Sequence, residues 1–433
     1  MYRVRRAAKP QGPPEAFVPL QMEECELSGE VGPIQPRPGP AGRPYAAARV
    51  LVRIHSRPLG VVDVPLPAGG LEGDSLRSAI EARLGGALSA HLAEDGASAA
   101  TEEPACLAAR RATLAHAPFA SVVIPTRDRP ERLRQSVSSV LACDYPRERF
   151  EVVIADNAPT DTRARELVEE VRSADERVSY VVAPRPGSGS ARNDGARRAR
   201  GEIVAFVDDD ALVDRHWLAE LVTGFGDDAE IACVAGLVMA AELDTWAQQL
   251  FEEYGGFGKG FEDAVYDTRA RHPGYPLFPF NPAILGSGNN VAFRRAALLE
   301  LGGYDPCLGN GTRTRSGEDW ELFLRLFRAG RAAAYRPGAI VHHRHRRELG
   351  ELRSQVHDYG VGIGAALART LAHDPGAAGE IAARIPNAAR YLLSSGSSKN
   401  RNQSGSYPRA LRRAELAGLA RGPLAYLRSR RGA

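Results

Sequence analysis

Long apolar runs, paired cysteines and an excess of charge of one sign are all missing from this chain of 433 residues. No segment approaches the about 18 uninterrupted apolar residues that a membrane span needs, and no apolar stretch follows the basic N-terminus as in a signal peptide. The five cysteines are scattered, and no pair has the spacing of a metal site or a disulfide framework. A cytoplasmic location with reduced thiols is therefore expected. A net charge of +3 does not require a basic surface, and no nucleic-acid partner is expected.

Two common nucleotide-binding motifs are also absent. The segment "PGSGSARNDG" has Gly187 and Gly189 in place, but Arg192 stands at the third glycine position of G-x-G-x-x-G. No G-x-x-x-x-G-K-[ST] sequence is present. Two interpretations of this segment stay open. It is either a flexible turn that leads into a helix, or a helix N-terminus that faces an anion, with Arg192 near phosphate.

Alternating strand and helix patterns begin at Ala117 and predict an α/β domain over residues 117–350. Apolar segments such as "SVVIP", "FEVVIADN" and "IVAFV" alternate with amphipathic segments such as "PERLRQSVSSVL". This order is typical of a Rossmann-like, mostly parallel sheet flanked by helices. Polar residues follow several strands, among them Thr126, Asp156 and Asp208. They should share the sheet edge at which ligands bind.

Three segments lie outside this domain. Residues 1–45 are rich in proline, glycine and charge and are expected to be mostly flexible. Residues 46–110 predict a small α+β appendage, and residues 351–433 predict a helical, basic C-terminal extension. Two interpretations of the basic end stay open, namely peripheral contact with the inner face of an anionic membrane and a solvated helix.

The most informative short motif is the acidic triplet after "IVAFV". Strand alternation places Asp208 and Asp210 on one side and Asp209 on the other. Two carboxylates one residue apart suit Mg²⁺ or Mn²⁺, which take carboxylate and phosphate oxygens. A solvated strand end is one alternative. A phosphatase with an aspartyl nucleophile is another, although Leu212 stands where such enzymes have threonine or valine.

Two later motifs add candidate groups. In "SGED", Ser316 and Asp319 fit a capping box, and a carboxylate fixed at a helix start can also act as a base. His342 and His343 follow a late strand, "AAYRPGAIV", and suggest a ligand position.

Together these motifs resemble the family 2 glycosyltransferases, inverting enzymes of the hexosyltransferase type with the GT-A fold. The resemblance covers residues 118–346 and is carried by "SVVIPTRDR", "EVVIADNAPTD", "GSGSARNDGARRARGEIVAFVDDD", "GSGNNVAFRRAALLELGGYD", "GEDWELFLRL" and "PGAIVHH". Many relatives have D-G-S or N-G-S where Ala158 and Pro159 stand, so the geometry of that turn is left open. The resemblance implies transfer of a sugar from a nucleotide-diphosphate sugar to an acceptor hydroxyl.

The resemblance also implies roles for the matched positions. Asp319 would be the general base, with Glu318 as its neighbour and substitute. The metal ligands would be Asp208, Asp210 and His343, where His343 fits better than His342. The donor would be bound by Pro125, Thr126, Arg127, Asp156, Arg192, Asn193, Asp208 and Asp209.

The acceptor stays open between a glycan, a lipid-linked sugar and a small molecule. It is expected to bind at residues 243–290, where aromatic side chains could stack on it or could instead fill a local core; these are Trp246, Phe257, Tyr275 and Phe280. The non-enzymatic hypothesis is a sugar-nucleotide-binding relative without turnover.

Overall fold

The computed structural model describes residues 17–96, 103–270, 272, 274–404 and 407–432. The predictions made for residues 1–16 lie outside this range. The described chain forms an N-terminal appendage, a central α/β domain and a C-terminal helical extension. This order confirms the predicted fold class.

The appendage is a three-stranded sheet covered by a helix. Its elements are β1 (Gln21–Glu26), β2 (Ala47–Ile54), β3 (Arg57–Pro65), α1 (Gly73–Glu94) and α2 (Ala105–Ala115). β1 runs parallel to β2, and β2 and β3 form an antiparallel hairpin. Alternate apolar residues of β2 and β3 face Leu76 and Ile80 of α1.

The expected flexibility of residues 1–45 is wrong for the part from Gln21 onward. β1 belongs to the same sheet as β2 and β3, so the appendage begins before residue 46. The physical reason is burial, because Cys25, Val31 and Ile34 lie in the appendage core. The proline-rich composition hid these three isolated apolar positions.

The central domain is built on a nine-stranded sheet within the described residues. Its strands are β4 (Ala120–Thr126), β5 (Phe150–Asn157), β6 (Val178–Ala183), β7 (Ile203–Val207), β8 (Ala211–Val213), β9 (Ile231–Ala240), β10 (Ala264–Tyr266), β11 (Asn290–Arg294) and β12 (Ala332–His343). The order is β10-β12-β9-β11-β7-β4-β5-β6, and β8 pairs with the end of β12. The neighbours β7, β4, β5 and β6 are parallel, as are β9 and β12. β11 lies antiparallel between β7 and β9.

Helices cover both faces of this sheet because its central strands are apolar throughout. They are α3 (Pro130–Leu141), α4 (Arg163–Ala174), α5 (Ser188–Arg198), α6 (Trp217–Thr223), α7 (Trp246–Tyr254), α8 (Arg295–Glu300) and α9 (Glu318–Arg328). Side chains of α3, α4 and α6 pack on one face, and those of α5, α8 and α9 pack on the other. Because these parallel strands are buried on both faces, the polar residues at their carboxyl ends are held in fixed positions at one edge of the sheet.

Several elements were not predicted, among them β8, β10, α7 and β11. α7 lies in residues 243–290, for which no helix was predicted, although Thr245 and Gln248 form a capping box at its start and could have indicated it. β11 has five residues and passes directly into α8, so no turn residue marks its end.

The C-terminal extension is helical, as predicted, and consists of α10 (Leu349–His373), α11 (Ala377–Leu393) and α12 (Arg409–Arg431). α10 and α12 approach closely through glycines; a Cβ atom on Gly418 would lie 2.0 Å from the carbonyl oxygen of His357. The basic helix α12 therefore has one buried face, which includes Leu411 and Tyr426. In the part of the chain that the structure describes, no helix has both the length and the apolar content to cross a membrane.

Candidate functional site

A cavity of about 600 Å³ lies where the parallel strands β4, β5 and β7 end. The acidic triplet forms part of its wall, and the later pair Glu318 and Asp319 forms another part. His343, at the end of β12, also lines it. The structure therefore brings the two acidic motifs, 108 residues apart between Asp210 and Glu318 in the sequence, into one cavity.

Strand pairing explains the position of the triplet. β7 ends at Val207, and Ala211 at the start of β8 pairs with His343. This register holds Asp210 beside His343, with 3.4 Å between Oδ1 of Asp210 and Nε2 of His343. One ligand atom each from Asp208, Asp210 and His343 lies within 4.8 Å of the others.

Although the triplet forms the turn between β7 and β8 and is not part of a strand, Asp209 lies outside this group. Its Oδ2 accepts a hydrogen bond of 2.7 Å from the hydroxyl of Thr126, and its side chain is buried. Burial raises the pKa of Asp209 to about 6, against the effect of that hydrogen bond.

Arginines balance the charge of the triplet. Arg192 Nη2 lies 2.8 Å from Asp208, and Arg132 Nη1 lies 3.3 Å from Asp210. Burial acts to raise the pKa of Asp210, but His343 and the arginines outweigh it and hold that pKa well below its usual range. Asp210 is therefore a carboxylate at neutral pH, as a metal ligand must be.

The two histidines of the late strand face different partners. His343 is packed edge-on against Phe257, with 5.2 Å between the ring centroids. His342 Nε2 lies 3.2 Å from Glu24 in β1 of the appendage. The structure therefore brings His343, and not His342, to the carboxylates.

The donor set of this cluster fits a hard divalent cation. Two carboxylates and one imidazole give mainly oxygen ligands, which Mn²⁺ and Mg²⁺ prefer. Nδ1 of His343 is buried and has no hydrogen-bond partner among the described residues, whereas Nε2 faces Asp210.

Glu318 is held in the wall by two donors. Its Oε1 accepts bonds of 2.6 Å from the hydroxyl of Ser188 and 3.2 Å from Arg192. Burial and the adjacent Asp319 raise the pKa of Glu318, while Arg192 acts in the opposite direction. Arg192 thus joins the two acidic motifs, because it also contacts Asp208.

Asp319 is oriented by backbone N–H groups. Oδ2 accepts a 2.8 Å bond from Gly288, and Oδ1 accepts a 2.8 Å bond from Trp320. The capping-box interpretation of "SGED" is wrong, because α9 begins after Gly317 at φ +97° and no side chain caps it. Asp319 is therefore bound to the loop before β11 instead of to Ser316.

Two predicted donor residues lie outside the cavity wall. Asp156 is fully buried and accepts a 2.6 Å bond from the hydroxyl of Tyr180, and burial raises its pKa. Asn193 exchanges two 2.8 Å bonds with the backbone of Tyr304. Each side chain is hydrogen-bonded within the fold, although Oδ1 of Asp156 is buried without a partner, and their assignment to the donor stays a prediction. The other predicted donor residues line the cavity, and they are Pro125, Thr126, Arg127, Arg192, Asp208 and Asp209.

One wall of the cavity consists of residues that the sequence did not predict as site residues. α10 contributes five residues, which are Glu351, Ser354, Gln355, Asp358 and Tyr359. No motif marks them, since they belong to the extension outside the family resemblance. Other lining residues that were not predicted are Asn157, Ser188, Ser287, Asn289, Asn310, Arg315 and Arg346.

Only one of the four aromatic residues expected at the acceptor side lines the cavity, and it is Phe257. Phe280 lies in a separate buried cluster with Trp320. Trp246 packs against the core formed by α7 and α10, and Tyr275 contacts Tyr266 near the surface. For Trp246 and Phe280 the local-core interpretation describes the structure better, whereas Tyr275 is 40% exposed.

Comparison with known proteins gives a consistent set of relatives. Residues 121–302 match the family model "Glycosyl transferase family 2". The chain is 25% identical over 232 residues to glucosyl-dolichyl phosphate glucuronosyltransferase of Haloferax volcanii, which is 52% of this chain and 68% of that protein. It is 25% identical over 277 residues to pre-mycofactocin glycosyltransferase of Mycobacterium tuberculosis, covering 64% of this chain and 50% of that protein.

A solved structure shows a weaker likeness. Mannosyltransferase PcManGT from Pyrobaculum calidifontis, in complex with GDP-Man and Mn²⁺, is 20% identical with a TM-score of 0.47. The match covers 70% of this chain and 87% of that one.

Proposed function

Because residues 121–302 form a family 2 glycosyltransferase domain, we propose that the cavity binds a nucleotide-diphosphate sugar and transfers its sugar to an acceptor hydroxyl. One observation carries the proposal. A single cavity is lined by a cluster of metal-type ligands on one side and by Asp319 on the other. Such a transfer needs both, since charge develops on the leaving phosphate while the acceptor loses a proton.

The leaving-group side is the cluster of Asp208, Asp210 and His343. These residues would hold Mg²⁺ or Mn²⁺, and the bound ion would act as a Lewis acid that neutralises the departing diphosphate. Arg192 supports this side with a permanent charge. Burial acts to lower its pKa, but Asp208, Tyr304 and Glu318 outweigh it and hold the pKa of Arg192 above its usual value. The first residue of α5, Ser188, also faces the cavity, so the helix N-terminus favours an anion there.

The acceptor side is Asp319, which would accept the proton of the attacking hydroxyl. Its two oxygens each receive one backbone N–H bond, which orients the carboxylate and leaves further lone pairs for a substrate. One base and one direct displacement predict inversion at the anomeric carbon. Glu318 is a poor substitute in this structure, because Ser188 and Arg192 already occupy its carboxylate.

The wall formed by α10 and Phe257 is the best candidate for acceptor binding. It presents hydroxyl, amide and carboxylate groups that suit a polyhydroxylated acceptor, together with one aromatic face. A glycan, a lipid-linked sugar and a small molecule all carry such groups. A phosphatase is less favoured, because Arg192 bonds to Asp208, which would have to be the nucleophile.

A paired assay tests the proposal. Purified protein would be screened against nucleotide sugars with and without Mn²⁺, for binding by thermal shift and for donor hydrolysis or transfer. We expect Asp210→Asn to abolish metal-dependent donor binding. Asp319→Asn should keep donor binding and reduce transfer by about 10²–10⁴-fold, the usual contribution of a general base.

The matched control is Asp161→Asn, since Asp161 is an aspartate bonded to Arg163 outside the cavity. Transfer at the normal rate by Asp319→Asn would show that the base assignment is wrong. Donor binding without any hydrolysis or transfer by the unmodified protein would instead support the relative without turnover.

A further inference from the structure

A second group of metal-type ligands lies in the appendage, outside the cavity. His55 stands in the turn between β2 and β3, His91 in the last turns of α1, Asp95 just after α1, and Cys106 in the first turn of α2. One ligand atom from each lies within 4.8 Å of the others. His91 and Asp95 are buried, and the other two side chains are partly buried.

The separations among the two imidazoles and the thiol are near those around a tetrahedral ion, whereas the three separations to Asp95 are shorter. Nδ1 of His55 and Nε2 of His91 are 3.4 Å apart, and Sγ of Cys106 lies 3.5 Å from the first and 3.9 Å from the second. Zn–N bonds of about 2.0–2.1 Å and a Zn–S bond of about 2.3 Å at tetrahedral angles require edges of about 3.3–3.7 Å. Oδ2 of Asp95 completes the group at 2.9 Å from each imidazole and 3.1 Å from the sulfur.

A purely hydrogen-bonded cluster explains this geometry less well. Three donors, from His55, His91 and Cys106, would have to converge on the single oxygen Oδ2 of Asp95. A carboxylate oxygen offers about two lone-pair sites. The protonated nitrogens of the two imidazoles would also face each other across 3.4 Å. The other oxygen of Asp95 accepts a 2.9 Å bond from the backbone of Cys106, which aims Oδ2 at the group.

The backbone at His55 is a second, independent observation. His55 has φ +54° and Ser56 has φ +65°, so both turn residues adopt the left-handed region. Two-residue hairpin turns of this kind favour asparagine and glycine, because a β-carbon is disfavoured there. A histidine in this position costs some free energy of folding; backbone N–H bonds from His55 and Ser56 to Glu26 offset part of that cost, and a bound ion would offset more.

We propose that His55, His91, Asp95 and Cys106 bind one zinc ion as a structural site. Two imidazoles, a thiolate and a carboxylate form a donor set that zinc prefers, and four protein ligands leave no open position for catalysis. Cys106 loses its proton on binding. The thiolate and the carboxylate of Asp95 then balance the two charges of the ion, so the centre is neutral and can be buried.

The site would connect the appendage to the central domain. It joins the β2–β3 turn, the end of α1 and the start of α2. From α2, Arg110 reaches Glu220 of α6 at 2.9 Å and the carbonyl oxygen of His55 at 3.3 Å. The sequence did not predict this group of ligands, because the group contains a single cysteine and its members stand up to 51 residues apart. This proposal is independent of the proposed sugar transfer.

Metal analysis of the full chain tests the proposal. After gel filtration in a weak chelator, which removes loosely held ions, we expect about one zinc ion per chain by mass spectrometry. Cys106→Ser and His91→Gln should each lower zinc affinity at least about tenfold. Cys25→Ala is the matched control, as Cys25 is a cysteine in the core of the same appendage. Asp210→Asn should retain zinc, which separates this site from the cluster in the cavity.

Cobalt substitution gives a readout that does not depend on the variants. Co²⁺ bound in place of zinc should show the absorption of a tetrahedral thiolate complex in the unmodified chain and in Cys25→Ala. Absence of that spectrum in the unmodified chain would overturn the proposal, even if Cys106→Ser fails to fold. Equal zinc content in Cys25→Ala and Cys106→Ser would also overturn it.

Discussion

At the scale of single residues, the position of Asp319 depends on a neighbouring glycine. Gly288 donates its N–H to Oδ2 of Asp319. A Cβ atom on Gly288 would lie 2.9 Å from Cβ of Asp319 and 3.2 Å from that oxygen. The segment "GSGNN", which carries part of the family resemblance, therefore has a physical reason to contain glycine here.

We predict that Gly288→Ala lowers sugar transfer by about 10²-fold, the cost of displacing a catalytic group by about 1 Å. Donor binding in Mn²⁺ should be retained, because Asp208 and Asp210 do not contact Gly288. Steady-state transfer rates and thermal-shift titrations would measure the two effects. Gly274→Ala is the control, since a Cβ atom there meets no atom within 4 Å. Equal rates for the two variants would contradict this role of Gly288.

The location of a residue in the cavity was predictable from the sequence where its motif is local. The triplet, His343 and Asp319 all line the cavity. Each stands at the end of a strand or at the start of a helix, and the sequence pattern predicted these strands and this helix. Asp156 and Asn193 do not line the cavity, for a different reason. Their partners, Tyr180 and Tyr304, are tertiary neighbours that no spacing reveals.

At the scale of elements, α10 has two functions in the fold. One part lines the cavity through Gln355, Asp358 and Tyr359. Another part supports the loop before α9, since a Cβ atom on Gly362 would lie 2.6 Å from the backbone of Ser316. The alternating pattern predicted the central sheet well, but α10 packs by close backbone contact through glycines. Such contacts leave no apolar period in the sequence, so the wall could not be predicted.

We predict that Gly418→Val in α12 lowers the free energy of unfolding by about 1–3 kcal/mol, the usual cost of overpacking. The reason is that the carbonyl oxygen of His357, 2.0 Å from the new Cβ atom, belongs to the backbone of α10 and cannot rotate away. Transfer activity should fall with it, since α10 carries the cavity wall. Denaturant titration measures the stability. Gly379→Ala in α11, where a Cβ atom meets open space, should not destabilise the chain. A stable Gly418→Val protein would show that the two helices are not packed as closely as described.

At the scale of the whole molecule, ion pairs join the appendage to the central domain. Arg53 of β2 is buried and lies 2.7 Å from Asp214. Arg110 of α2 lies 2.9 Å from Glu220, which also contacts Arg336 of β12 at 3.1 Å. His342 adds a contact to Glu24. These contacts fix the appendage to β12, the strand that carries His343. Removal of the appendage would therefore alter the cavity through β12.

The last prediction concerns this interface and uses a double-mutant cycle. Arg110→Met and Glu220→Gln should each destabilise the chain, and the double variant should lose less than the sum. The expected coupling energy is about 1–3 kcal/mol, because both side chains are buried and directly bonded. Denaturant unfolding of the four proteins measures it. The same cycle on the exposed pair Arg134 and Glu170 is the control, and solvent screening should leave no measurable coupling there. Additive effects at Arg110 and Glu220 would mean that this ion pair does not couple the appendage to the central domain, which would leave other polar contacts between them, among them Arg53 with Asp214 and His342 with Glu24.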